Sequence, residues 1–146
     1  MKKIIIINGP NLNLLGNREV IVYGSESIDE IQKKAIEKCS ELNIDCSFCQ
    51  SNNEGDLIEY IHSVEKEFDG LIINPAAFTH TSVALLDALR SVSKPKIEIH
   101  LSNIYNREEY RKKSITSEGV DGLICGFGSL SYILAIEAIS ILIYKK

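Results

Sequence analysis

Three short stretches carry residue types that could do acid–base chemistry. In Glu98-Ile-His100 an acid and an imidazole stand two residues apart. On a strand such a pair shares one face, so the carboxylate can orient the ring and raise its basicity. Leu101, Ser102 and Asn103 add donors just beyond it. A lone strand histidine is usually structural, but one paired with a glutamate at a ligand-binding edge points to a general acid or base. The second stretch, Asn74-Pro-Ala-Ala-Phe-Thr-His80, sets an amide and a histidine just before a helix start. Free N–H groups there attract an anion, a carboxylate or a phosphate. Taken alone, the same residues read equally well as a turn with Thr79 as a cap.

The third stretch, Asn8 to Ser25, holds Arg18 and Tyr23. Ionising a tyrosine of ordinary pKa, about 10, at neutral pH costs about 4 kcal/mol. An arginine within about 4 to 6 Å offsets about one to three pH units of that. The competing reading keeps Tyr23 as a packing aromatic and Arg18 as a solvated charge, and spacing alone does not separate the two.

The elements that must position these residues follow from patterning. Strand-to-helix connections usually run about 2 to 6 residues, so the segment from Asn8 to Ser25 is a lid or a binding loop unless it is disordered. Leu12, Leu14, Leu15, Val20, Ile21 and Val22 argue for a structured loop. Lys3 to Ile7 is a continuous apolar strand. Ser27-Ile-Asp-Glu30 is a capping box that opens a helix to about Leu42, with Ile28, Ile31, Ala35, Cys39 and Leu42 on one face. A second strand, Ile44 to Cys49, is followed by a helix with Leu57, Ile58, Ile61 and Val64 inward. Leu71 to Asn74 is the third strand. Thr81 or Ser82 caps a third helix carrying Val83, Leu85, Leu86 and Leu89, closed by Lys94-Pro95. Lys96 to Leu101 is the fourth strand, a helical turn spans Arg107 to Lys112, and Gly122 to Cys125 is the fifth strand. The last helix, Leu130 to Tyr144, is apolar nearly all round yet too short to span a bilayer, which places it in the core or in a subunit contact.

Strands alternating with helices, several of them unbroken apolar runs, predict an α/β fold: a doubly wound five-stranded parallel sheet of order 2-1-3-4-5. Ligands bind such sheets outside the carboxyl ends of the strands, near the switch point between strands one and three. The three polar stretches gather at that edge.

Composition narrows the classes. The 146 residues, 45% hydrophobic and 25% charged, are expected to form one domain, residues 1–146. A net charge of −4 without a basic cluster gives no footprint for nucleic acid or for a membrane surface. Four isoleucines before Asn8-Gly9-Pro10 fall short of the apolar core of a signal peptide, so a cytoplasmic location is expected. The four cysteines are then expected to be reduced. Cys46 and Cys49 lie on a strand pattern, where residues three apart point to opposite faces, and no further pair completes a zinc site.

Five segments in order, Gly9-Pro-Asn-Leu-Asn-Leu-Leu-Gly16, Arg18-Glu19 with Tyr23-Gly24, Asn74-Pro-Ala-Ala-Phe-Thr-His-Thr-Ser82, Glu98-Ile-His-Leu-Ser-Asn103 and Arg107-Glu-Glu-Tyr-Arg111, closely resemble the type II 3-dehydroquinate dehydratases. The resemblance spans essentially the whole chain. It implies a flavodoxin-like subunit that converts 3-dehydroquinate to 3-dehydroshikimate, a hydro-lyase of aromatic biosynthesis working by anti elimination without metal or cofactor. Carried over to this sequence, it makes Tyr23 the base at C2 and Arg18 the charge that favours its phenolate, with Arg107 as a helper. Asn11 steadies the enolate oxygen, and His100, held by Glu98, protonates the departing C1 hydroxyl. Asn74 with the backbone of Leu101 and Ser102 cradles the carboxylate; His80 and Arg111 grip the ring hydroxyls. Asp87 reaches a neighbouring subunit's site in a homododecamer built from trimers. Two departures stand out: Val20 where the family often has proline, and Gly128-Ser-Leu-Ser-Tyr132 where it often reads Gly-x-x-Gly-Tyr. The second is expected to alter helix packing rather than chemistry.

Competing classes share the fold but lack the residues. Gly126-Phe-Gly128 lacks the third glycine and the later acid of a dinucleotide fingerprint, and Gly9 to Gly16 is not a Walker loop. A phosphorelay receiver needs acids where strands one and three end in Asn8 and Asn74.

Overall fold

The computed structural model describes residues 1–17 and 19–145. Five parallel strands form one sheet in the order β2-β1-β3-β4-β5: β1 Lys2–Asn8, β2 Ile44–Gln50, β3 Gly70–Asn74, β4 Lys96–His100 and β5 Gly122–Cys125. The chain therefore reverses direction across the sheet between β1 and β3, at the expected switch point. The helices are α1 Val20–Tyr23, α2 Ile28–Glu41, α3 Glu54–Glu67, α4 Val83–Arg90 and α5 Leu130–Tyr144, joined by short 3₁₀ turns.

Alternation along β1 builds both layers. Ile4 and Ile6 pack with Ile31, Ala35, Ile136 and Ile139 under α2 and α5. Ile5 and Ile7 pack with Leu57, Ile61, Leu85 and Leu89 under α3 and α4. Each buried isoleucine contributes about 1.5–3 kcal/mol relative to its exposed state. With both faces covered, the central strands have no reason to alternate with polar residues, which is why they read as unbroken apolar runs.

The helix starts are local. Ser27 and Glu30 form the capping box of α2, Asn53 accepts from Gly55 N–H at α3, and Ser82, rather than Thr81, caps α4 through Leu85 N–H. Cys46 packs in the first core cluster and Cys49 in the second, on opposite faces, and all four thiols are free. Burial pushes the Cys49 thiol up to about 12, far from a redox thiolate.

Some expectations need correction. Of the apolar residues between Asn8 and Ser25, only Leu12 and Leu15 are buried; Leu14, Val20, Ile21 and Val22 are exposed, so the segment is held by two leucines and not by an apolar core of its own. Val83 is exposed at the start of α4. The turn expected over Arg107 to Lys112 is only a 3₁₀ turn at Glu109–Arg111, after another at Ile104–Asn106. Helix α5 buries one face, including Tyr132, Ala135, Ile136, Ile139 and Ile143, and exposes Leu130, Leu134, Ile141 and Leu142. Among the described residues no helix is long and apolar enough to cross a membrane.

Candidate active site

The carboxyl ends of β1, β3 and β4 are drawn together by close backbone contact. Gly9 N–H donates to the Asn74 carbonyl at 2.8 Å, and a Cβ on Gly9 would lie 2.6 Å from the Pro75 carbonyl oxygen. Only glycine lets the loops after β1 and β3 approach so closely. A cleft opens at this edge, lined by Asn11, Tyr23, Asn74, His80, His100, Leu101, Ser102 and Arg111, together with Arg107. Nine of the residues singled out in the sequence therefore meet in one place.

Glu98 and His100 point to the same face of β4, as period two requires. His100 Nε2 lies 2.7 Å from Glu98 Oε2. A carboxylate only accepts, so Nε2 carries the proton of this bond and Nδ1 is the nitrogen left for the cleft. Glu98 itself is fully buried behind the imidazole. Its carboxylate also receives Thr79 Oγ1 at 2.9 Å and Ser114 Oγ at 3.1 Å on Oε2, and Thr116 Oγ1 at 2.6 Å on Oε1. Thr79 Oγ1 stands 2.6 Å from each of the other two hydroxyls, so three protons serve five short contacts. Burial pulls the Glu98 pKa upward, but His100, Thr116 and Thr79 outweigh it and hold the group below the usual carboxylate value.

His80 Nδ1 lies 2.7 Å from the Lys113 carbonyl. A carbonyl oxygen cannot donate, so Nδ1 carries the hydrogen and Nε2 is the acceptor when the ring is neutral. Burial lowers the His80 pKa against the raising pull of that carbonyl, with His100 and Arg111 adding to the lowering. This is a ring suited to accept a hydrogen bond from a ligand hydroxyl at neutral pH.

The loop after β1 brings the phenol. Tyr23 ends the one-turn helix α1, and Gly24 follows with φ of 90° and ψ of 172°, a conformation open essentially to glycine alone. Arg107 Nη1 donates to Tyr23 Oη at 2.9 Å, and its guanidinium carbon lies 5.2 Å from the ring centroid. Arg18 lies outside the described residues. Glu98 sits behind the cleft wall and Asp87 is exposed on α4, away from this chain's cleft. Among the described residues no group of three or more His, Cys, Asp or Glu is placed to hold a metal ion.

Several roles at the site were not read from the sequence, that of Thr79 included, which caps no helix. Thr79, Ser114 and Thr116 form the hydroxyl cage, and their spacing gives no sign of it because the loop from 113 to 119 returns to β4 only in three dimensions. Tyr132 is buried in α5, and its hydroxyl joins Asn74 to Asn8. Ser131, at the departure from the family pattern, donates to the His100 carbonyl at 3.3 Å. A hydroxyl pair on the inner face of an otherwise apolar helix was the available signal.

Residues 2–140 match the family model described as Dehydroquinase class II. A 3-dehydroquinate dehydratase of Caldanaerobacter subterraneus subsp. tengcongensis is 50% identical over 142 residues, covering 97% of this chain and 96% of that protein. One from Clostridium botulinum is 50% identical over 139 residues, covering 95% of each. The crystal structure of the type II dehydroquinase of Butyrivibrio crossotus matches with a TM-score of 0.93 at 45% identity, covering 94% of this chain and 97% of that one. Agreement of sequence over nearly the full length, of fold and of strand order leads to one conclusion: the chain belongs to the class II dehydroquinase family.

Proposed function

We propose that the cleft eliminates water from 3-dehydroquinate in the anti sense through an enolate. The protein is a 3-dehydroquinate dehydratase, a hydro-lyase of the shikimate pathway that yields 3-dehydroshikimate. One observation carries the assignment of roles: a guanidinium-bound phenol and His100, held from behind by the buried Glu98 carboxylate, line the same cleft.

In this reading Tyr23, as phenolate, takes the proton at C2 beside the ketone. The C–H electron pair moves into the enolate. The bond from Arg107 supports the assignment, because it holds a cationic donor on the phenol oxygen; Arg18 has the same task. Asn11, at the cleft wall, steadies the enolate oxygen through a water. His100 then delivers the proton on Nδ1 to the C1 hydroxyl, the C1–O bond breaks, water leaves, and the enolate collapses to the enone. Solvent returns the proton from Tyr23 and restores the one on His100. Glu98 holds the imidazole and balances its charge. Asn74 and the backbone of Leu101 and Ser102 take the carboxylate, while His80 Nε2 and Arg111 take ring hydroxyls.

The assembly proposed is a homododecamer built from trimers, with Asp87 of one subunit reaching the site of another. The exposed apolar residues of α5 and the lid suit such burial. Free thiols fit a reducing cytoplasm.

Mixing the protein with 3-dehydroquinate and following enone absorbance tests the reaction; no growth in absorbance would reject it. Borohydride added with substrate should leave activity intact, since among the described residues no lysine lines the cleft. A substrate-sized mass increase on a lysine would reject the enolate route in favour of an imine.

A further inference from the structure

Tyr132 lies fully buried in α5, outside the cleft, yet it touches a residue of the cleft wall. Asn74 Nδ2 donates to its hydroxyl at 3.2 Å, and the hydroxyl in turn donates to Asn8 Oδ1. Both ends of this chain are tied to backbone. Asn8 Nδ2 donates to the Cys49 carbonyl at 2.9 Å, and Asn74 Oδ1 accepts from Ala76 N–H at 3.2 Å. Each group has one possible sense. The Cys49 carbonyl can only accept, which makes the amide end of Asn8 the donor and leaves its oxygen for Tyr132. The Ala76 N–H can only donate, which fixes the oxygen of Asn74 and leaves its NH₂ for Tyr132 and the cleft. One Nδ2 hydrogen is spent on the phenol oxygen; the other is the one available to a ligand. Ala76 holds φ of 52°, a conformation unfavourable for a residue with a Cβ, and the bond from its N–H to Asn74 helps to hold it.

We propose that Tyr132 is a positioning residue for carboxylate recognition: through Asn74 and Asn8 it fixes which end of the Asn74 amide faces the cleft, presenting a donor and hiding the acceptor. This rests on the assignment of the substrate carboxylate to Asn74 made above. An amide free to rotate would present its oxygen to the carboxylate part of the time, a repulsive arrangement. The hydroxyl of Tyr132 opposes that rotation because Asn8 and Asn74 are both buried, and turning the amide would take Nδ2 from the phenol oxygen and Oδ1 from Ala76 N–H. The tyrosine also couples the ends of two strands to one helix, since its partners lie on β1 and β3.

The test compares Tyr132→Phe, Asn8→Ser and Asn74→Ala with wild type, using 3-dehydroquinate turnover and competitive inhibition by two probes, quinate and its carboxamide. Tyr132→Phe should raise KM about 5- to 30-fold, the weight of a misaligned charge-assisted hydrogen bond, with a smaller change in kcat. It should also reduce the preference for quinate over the carboxamide, whereas a general packing defect would weaken both probes alike. Asn8→Ser should shift the preference in the same direction and decides the matter if Tyr132→Phe does not fold. If Asn74→Ala leaves the preference unchanged, the carboxylate lies elsewhere and the assignment of Asn74 fails. If Asn74→Ala abolishes the preference while Tyr132→Phe and Asn8→Ser retain it, Asn74 binds the carboxylate without help and the proposal for Tyr132 is overturned.

Discussion

Replacing Thr116 by valine keeps the shape of the side chain and removes one hydroxyl from around Glu98. The Thr116 oxygen stands 2.6 Å from Glu98 Oε1, and both residues are fully buried, so no solvent takes over the bond. A hydrogen bond to a charged group contributes about 1.5–3 kcal/mol. In a chain of this size each kcal/mol moves the melting midpoint by about 2–4 °C, so Thr116→Val should melt about 3–12 °C lower at neutral pH. The loss should also depend on pH, with a definite sign. Against the upward pull of burial, His100, Thr116 and Thr79 depress the folded pKa of Glu98 below the reference of 4.5. A depressed carboxylate contributes stability that is present above its unfolded pKa and lost as pH falls through the folded value. Valine removes part of the depression, so the deficit of the variant is full at neutral pH and narrows as the pH falls below 4.5. Calorimetric melts of both proteins over that range are the measurement. An equal deficit at every pH, or none at neutral pH, would refute the view that Thr116 serves the carboxylate anion. Turnover should fall as well, since His100 takes its orientation from the same carboxylate.

His100→Ala should lower kcat by about 10²- to 10⁴-fold, the usual weight of a general acid, with KM nearly unchanged; a steep rise in KM at normal kcat would make His100 a binding group. Arg107→Gln should lower the rate about 10- to 10²-fold, the weight of a hydrogen bond from a charged donor. Tyr23→Phe, which removes the hydroxyl itself, should lose more, and an unchanged rate for Arg107→Gln would show that the bond to Tyr23 is not used in turnover. Gly9→Ala should destabilise by about 1–3 kcal/mol in urea unfolding, because its methyl meets the Pro75 carbonyl; an unchanged midpoint would show slack between the two loops.

Strand and helix order was legible in the sequence because it rests on short-range physics. The period of Ile31, Ala35 and Cys39, the capping box at Ser27 and Glu30, and the apolar runs of β1 and β3 are set by neighbours along the chain. Glu98 and His100 could be paired for the same reason, being two residues apart on one strand. The resemblance brought Tyr23, Asn11, Asn74 and His80 into one site, which spacing alone left open. Arg107 was legible only as a helper; the fold gives it the hydrogen bond to Tyr23. The hydroxyl cage and the Asn8–Tyr132–Asn74 chain were not legible at all. Their members are separated by 16 to 124 residues, and a threonine or tyrosine carries no local mark of a partner so distant. The exposure of Ile21 and Val22 was likewise hidden, because an apolar side chain in a loop is buried only if another element arrives to cover it. Local pattern determined the elements and the dyad; which distant hydroxyls satisfy a buried carboxylate or orient a buried amide was decided only when the sheet brought the ends of β1, β3 and β4 together, where burial makes every unpaired polar group expensive.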